Sequence, residues 1–155
     1  MFDVSSHRLE IKKWIPQFER MIGVVFFVDI SQYDQVILEE SDHNSLMEGL
    51  VQFDSVVNSR WVSHTCMILL FCNARRFREK LNTIPLSHYF PDYSGGNDIN
   101  KASKYLLSRF NQVNRVGLNV YPHLCEPSSE SIMGFIWTAV RETILVNVNK
   151  DLSIL

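Results

Sequence analysis

The sequence predicts an α/β fold, a small parallel sheet with helices on both faces, and three observations carry that expectation. Three short runs read as buried strands: residues 24–30 (VVFFVDI), 66–72 (CMILLFC) and 118–124. Each is continuously apolar or rich in β-branched and aromatic residues, too short for a helix, and bounded by polar or turn residues. Between them, apolar residues repeat at helical spacing: Leu46, Leu50, Phe53 and Val57, then Ala102, Leu106, Phe110 and Val113, then Ile132, Ile136, Ala139 and Thr143. The resulting order is helix, strand, helix, strand, helix, strand, helix, and strands joined through helices require right-handed crossovers and parallel pairing.

Taken in order, Phe2-Asp3-Val4 reads as the clipped end of a further strand, which makes the sheet incomplete and leaves 24–30 as a hydrophobic edge. Residues 82–100 hold Pro85, Pro91 and the Gly95-Gly96 pair and form the one long loop. That loop contains a near miss to a phosphate-binding GxxxxGK[ST] between Gly95 and Lys101. Asn100 stands where the second glycine belongs and Ala102 where the hydroxyl belongs, so the segment reads as a turn and a helix start.

At 155 residues the chain has room for one domain, and 46% hydrophobic with 21% charged residues is an ordinary globular balance. A net charge of -2 supplies no field for nucleic acid, which is not expected as a partner. Cys66, Cys72 and Cys125 lack any zinc-site spacing and read as reduced core thiols of an intracellular protein. The apolar run at 24–28 is far shorter than the ~18 residues of a membrane span, and Met1 is followed by Phe2-Asp3 where a signal peptide has basic residues.

Independent catalytic signals are few. His7, His43, His64, His88 and His123 show no HxxxH or HxH spacing and read as surface or loop residues. No GxSxG elbow or Cys/His signature is present. From Met21 to Ser59 the charged residues are all acids: Asp29, Asp34, Glu39, Glu40, Asp42, Glu48 and Asp54. They read as a solvated acidic face. Arg75, Arg76, Arg78 and Lys80 read as a charged helix start.

Phe2-Asp3-Val4-Ser5-Ser6-His7-Arg8, followed by Lys12-Lys13-Trp14-Ile15, resembles the FDVGGQR...KKWI switch segment of heterotrimeric G-protein alpha subunits. Ser31-Gln32-Tyr33-Asp34 is similar to the family's SDYD, Phe53-Asp54-Ser55 to FDS, and Asn58-Ser59-Arg60-Trp61 to NNKW. Phe71-Cys72-Asn73 is similar to the FLN that opens the guanine-reading NKxD motif, and Pro91-Asp92-Tyr93 to PEY. The resemblance covers essentially the whole chain and implies a partial P-loop NTPase (Ras-like) fold with three main parallel strands. It implies one truncated domain over 1–155, the phosphate loop, helical domain and arginine finger all belonging upstream of Phe2.

By that resemblance Asp3 matches the acid that reaches magnesium through water, and Ser6 replaces the glycine whose backbone N–H meets the γ-phosphate. His7 stands at the position of the glutamine that orients the attacking water. Of NKxD only Asn73 remains; Arg76 replaces the acid that accepts from guanine N1 and N2, offering donors to donors. Pro127 replaces the alanine whose N–H meets guanine O6 and has no N–H to give. Such losses in a polar pocket cost discrimination on the order of 10⁴ or more.

The resemblance assigns partner contacts more generously. Lys12 and Trp14 match the switch helix that meets the βγ dimer, although Pro16 inside that helix costs about 3 kcal/mol and breaks or kinks it. Trp61 matches an effector-facing loop residue, and residues 132–155, ending in Ile154 and Leu155, match the helix and tail that enter receptors. The expectation is a degenerate, nonenzymatic alpha-like protein in the cytoplasm, held at the inner face of the plasma membrane through a βγ dimer, receptor or effector. It needs no cofactor, GTP or GDP and magnesium being those of the family. The alternative is a GTPase whose N-terminal half lies outside this sequence, and a third reading is a chain without activity.

Overall fold

A computed structural model describes residues 23–35, 44–62 and 65–126, together with 134, 136–138, 140–143 and 145 of a C-terminal helix. Strand β1 (Gly23–Asp29) passes through a 3-10 turn (Ile30–Gln32) to helix α1 (Ser45–Val57), and a second turn (Arg60–Val62) leads to β2 (Cys66–Cys72). Helix α2 (Ala74–Leu81), a turn at Leu86–His88, helix α3 (Ile99–Val113) and β3 (Val120–Cys125) follow. The strands lie in the order β1-β2-β3 and both pairs are parallel, so the described sheet is open, as the α/β reading requires.

The central strand explains why CMILLFC is continuously apolar: six of its seven residues are buried because both faces are covered. On one face Met67, Leu69 and Phe71 meet Leu46, Leu50, Phe53 and Val57 of α1, Phe77 and Leu81 of α2, and Ala102, Leu106 and Phe110 of α3. Aromatic edges knit this layer: Phe26 to Phe53 at 5.2 Å, Phe53 to Phe110 at 5.1 Å and Phe71 to Phe110 at 5.5 Å between ring centroids. On the other face Ile68, Leu70 and Cys125 pack with Ile136, and Val140 lies against them. Ile136 and Thr143 of the predicted C-terminal stripe are therefore buried, while Ile132 and Ala139 lie outside the described residues.

Four boundaries differ from the sequence reading, each for a local reason. Ile30 leaves β1 because the Asp29 carboxylate accepts from the Ser31 N–H and hydroxyl, turning the chain out of the strand. β3 starts at Val120, two residues later than predicted, because the Asn114 side chain clasps both the N–H and carbonyl of Leu118 and holds a loop there. It runs on to Cys125, pairing that residue with Cys72. Two helices, not one, separate β2 from β3: the charged helix start read at Arg75 to Lys80 is a helix of its own, α2, which opens directly after Asn73. Pro122 sits inside β3, which it can do because the strand is an edge of the described sheet and the missing N–H is not needed there. The predicted strand end at residues 2–4 and the helix before β1 lie outside the described residues.

The near-miss phosphate loop is a turn and helix start, as its sequence suggested. Asp98 caps α3 by accepting from the N–H groups of Asn100 and Lys101, and the Tyr93 hydroxyl donates to the Gly96 carbonyl at 3.0 Å.

Candidate functional site

In open parallel sheets, ligands bind where the strands end at their carboxyl side. Here that edge brings together Asp29, Asn73, Cys125 and Glu126, the last residues of β1, β2 and β3 and their neighbours. Asn73 has φ +62, a left-handed conformation that asparagine tolerates better than most residues. Its side-chain amide does not cap α2; it donates instead to Asp29 Oδ2 at 2.6 Å. Asp29 thereby accepts from four donors, the others being the Ser31 N–H, the Ser31 hydroxyl and the Gln32 amide. The vacated cap of α2 is filled from across the fold, where the Glu126 carboxylate accepts from the Arg75 N–H.

One layer below, Cys72 and Cys125 face each other as register partners on β2 and β3, with their sulfurs 3.0 Å apart. Burial pushes the Cys72 thiol up, and the Cys125 thiol and the carboxylates of Asp29 and Glu126 add to the shift.

Beside this edge, Lys80 of α2 donates to Asp34 at 2.5 Å and to the Ser31 carbonyl at 2.9 Å. Burial pushes the Asp34 carboxyl up, but hydrogen bonds from Lys80 and Gln35 and the lysine charge outweigh it and hold the group below its ordinary value. The predicted solvated acidic face is thus corrected. Asp29 and Asp34 are engaged as described, and Asp54 accepts from Asn58 and pairs with Arg115 at 3.0 Å; Glu39, Glu40 and Asp42 lie outside the described residues. Lys80 likewise leaves the exposed basic cluster, whereas Arg75, Arg76 and Arg78 remain solvated on α2.

Of the residues that the resemblance assigns to nucleotide, metal or partners, the structure describes three. Asn73 lies at the edge just described, and Arg76 is exposed in the first turn of α2. Trp61 is half-buried against the larger core with the Arg60 guanidinium over its ring at 4.4 Å. Asp3, Ser6, His7, Lys12, Trp14, Pro127, Ile154 and Leu155 lie outside the described residues. Sequence reasoning gave neither Asp29 nor Glu126 a role at this edge. An acid closing a strand ahead of Ser31-Gln32 is a local turn signal for the first. Nothing local marks Glu126, whose partner is 51 residues away.

A model of the G-protein alpha subunit family matches residues 1–144. The chain belongs to the G-protein alpha subunit family. It is 56% identical over its full length to the guanine nucleotide-binding protein alpha-3 subunit of Neurospora crassa, covering 44% of that protein. It is 50% identical to a guanine nucleotide-binding protein subunit alpha of Cryptococcus neoformans and 44% identical to the alpha-2 subunit of Saccharomyces cerevisiae, covering 36% and 34% of those chains. The chain thus spans less than half the length of these relatives. The family match agrees with the Ras-like P-loop fold expected from the sequence. No helix among the described residues is long and apolar enough to cross a membrane.

Proposed function

We propose that this chain is an alpha-subunit-like component of receptor-coupled signalling that neither reads nor hydrolyses guanine nucleotide and acts through protein contacts. The observation that carries this is the state of the base-reading edge. One N–H of the Asn73 amide donates to Asp29, and an exposed cation, Arg76, stands where the resemblance places the acid that accepts from guanine. The residues present do not fit a guanine base, and Pro127 and His7 extend the mismatch in sequence.

Support for partner contacts comes from the C-terminal helix, anchored by Ile136 and Val140 on the sheet while residues 147–155 end in Ile154 and Leu155. Such a tail suits the helix-in-groove mode of recognition by a receptor. Lys12 and Trp14 for a βγ dimer and Trp61 for an effector belong to the same proposal. So does a place at the inner face of the plasma membrane, reached through these partners.

Titration with fluorescent GDP and GTP tests the proposal, a full-length relative serving as positive control. No saturable binding is expected, and saturation at micromolar concentrations would overturn it. A peptide covering residues 143–155 should compete with alpha subunits for an activated receptor, and Ile154→Ala with Leu155→Ala should abolish the competition; equal potency of the two peptides refutes the tail contact. A second reading, a working GTPase, is favoured by the short span relative to the relatives. It requires an upstream GxxxxGK[ST] in the transcript and nucleotide binding by the longer protein.

A further inference from the structure

The molecule carries a pair of sulfurs that the proposed function does not use. Cys72 and Cys125 end adjacent parallel strands in matched register, on the sheet face covered by Ile136 and Val140. Neighbouring strands lie about 4.8 Å apart, within the roughly 4.4–6.8 Å Cα separation that a disulfide spans. The sulfurs, 3.0 Å apart, need approach by only about 1 Å to reach bonding distance. Cys66 is placed differently: it opens the seven-residue β2 that Cys72 closes, roughly 20 Å away, and cannot reach either partner.

We propose that Cys72 and Cys125 form a reversible intramolecular disulfide, a redox staple that locks β2 to β3 at the root of the C-terminal helix. The oxidant is a low-molecular-weight disulfide, RSSR. Cys72, the less buried of the two, loses its proton and attacks one sulfur of RSSR; that S–S bond breaks and the departing RS⁻ takes a proton to leave as RSH. Cys125 then loses its proton and attacks Cys72 Sγ in the mixed disulfide, expelling the second RSH. The chain has given up two electrons and two protons, and RSSR has become two RSH.

Burial and the adjoining carboxylates keep the Cys72 thiolate scarce, so exchange is slow and the pair answers sustained oxidising conditions. Asn73 follows one cysteine and Glu126 the other, so the staple fixes the contacts Asn73–Asp29 and Glu126–Arg75 along with the helix root. This inference is independent of whether nucleotide binds.

The fold, and not the chain, selects this pairing, which makes a clean test. In an unfolded chain Cys66–Cys72 closes a far shorter loop than Cys72–Cys125, 53 residues apart, and loop entropy favours it by roughly 25-fold. The full chain is incubated with oxidised glutathione, natively and in concentrated guanidinium, then alkylated and peptide-mapped. The native sample should give one cross-linked peptide, Cys72 with Cys125, and one alkylated cysteine, Cys66; the denatured sample should be dominated by Cys66–Cys72. The oxidised native chain should melt roughly 10 °C higher, reversibly with reductant. A native map showing Cys66 in the bridge, a bridge between two copies, or only glutathione adducts or free thiols after the denatured chain has oxidised would overturn the proposal. A Cys125→Ser variant should lose both bridge and shift; should it not fold, the map of the unaltered chain decides alone.

Discussion

Replacing Lys80 with Met removes a charge while keeping a side chain of similar length, and so isolates the ion pair with Asp34. The pair is 2.5 Å apart with the two side chains only 17% and 8% exposed, and Lys80 also satisfies the Ser31 carbonyl. Exposed pairs contribute about 0–1 kcal/mol, but removing one partner of a buried pair leaves an uncompensated charge at a cost of about 3–5 kcal/mol. Asp34 keeps a hydrogen bond from Gln35 at 3.3 Å, which places the expected loss near the lower end, about 3 kcal/mol at pH 7. Adding Asp34→Asn removes the stranded charge, and the double variant should recover about 2 kcal/mol relative to Lys80→Met.

The pH dependence separates this account from a packing defect. In the unaltered chain the Asp34 pKa is depressed, so its contribution is present above the unfolded-state value and lost as pH falls through the folded one. In Lys80→Met the lysine's hydrogen bond and charge no longer oppose burial, which only the Gln35 amide and a backbone hydrogen bond still offset. The pKa therefore rises, protonation relieves the variant and its deficit should shrink between pH 7 and about 4.5. Urea unfolding followed by tryptophan fluorescence reads both. A Lys80→Met deficit under about 1 kcal/mol at pH 7, or one that does not change with pH, refutes the buried-pair reasoning.

Phe110→Ala, at the centre of the ring contacts between α3, α1 and β2, should cost about 3–5 kcal/mol in the same assay. Asn58 donates to Asp54 and to the Val113 carbonyl and accepts from the N–H groups of Arg115 and Val116, tying the ends of α1 and α3. Asn58→Ala should therefore cost about 2–3 kcal/mol and speed amide exchange at residues 114–117. Burial, with the Asp34 charge and Tyr89 adding to it, pushes the Tyr33 phenol up to about 12. Because the folded pKa is raised, stability present below pH 10 should fall by about 2 kcal/mol as pH rises from about 10 to 12. Tyr33→Phe should show no such alkaline fall while losing about 1 kcal/mol throughout for the bond to the Ile84 carbonyl.

The scaffold was legible because its determinants are local. The CMILLFC run marks a strand covered on both faces, and Leu46, Leu50, Phe53 and Val57 mark a helix face; both signals survive without knowledge of partners. Ile30 departs from the strand reading where a side chain redirects the backbone, the Asp29 carboxylate accepting from Ser31. The site was less legible because its contacts cross the chain. Nothing near Asp34 in sequence announces Lys80, 46 residues on, and Cys72 with Cys125 read as separate core thiols until β2 and β3 are laid side by side.

Under the proposed function, an edge that no longer reads a base is compatible with a fold that is kept. Arg76 is exposed, and a surface exchange of acid for cation is close to neutral for stability, so nothing in the core resists it. The polar groups along this side of the sheet bond to each other: Asn73 to Asp29, Arg75 to Glu126, Lys80 to Asp34 and Ser31. A site for a polar base needs donors and acceptors left unsatisfied and aimed outward; an edge that satisfies its own groups is stable without a ligand and resists one. For Asn73 to turn both of its amide N–H groups to a base it must first leave a 2.6 Å bond to a carboxylate. Hydrogen bonds to charged groups contribute about 1.5–3 kcal/mol, so if the proposed function holds, giving up this one would lower affinity for a base by roughly 10- to 150-fold before the exchange at Arg76 is counted.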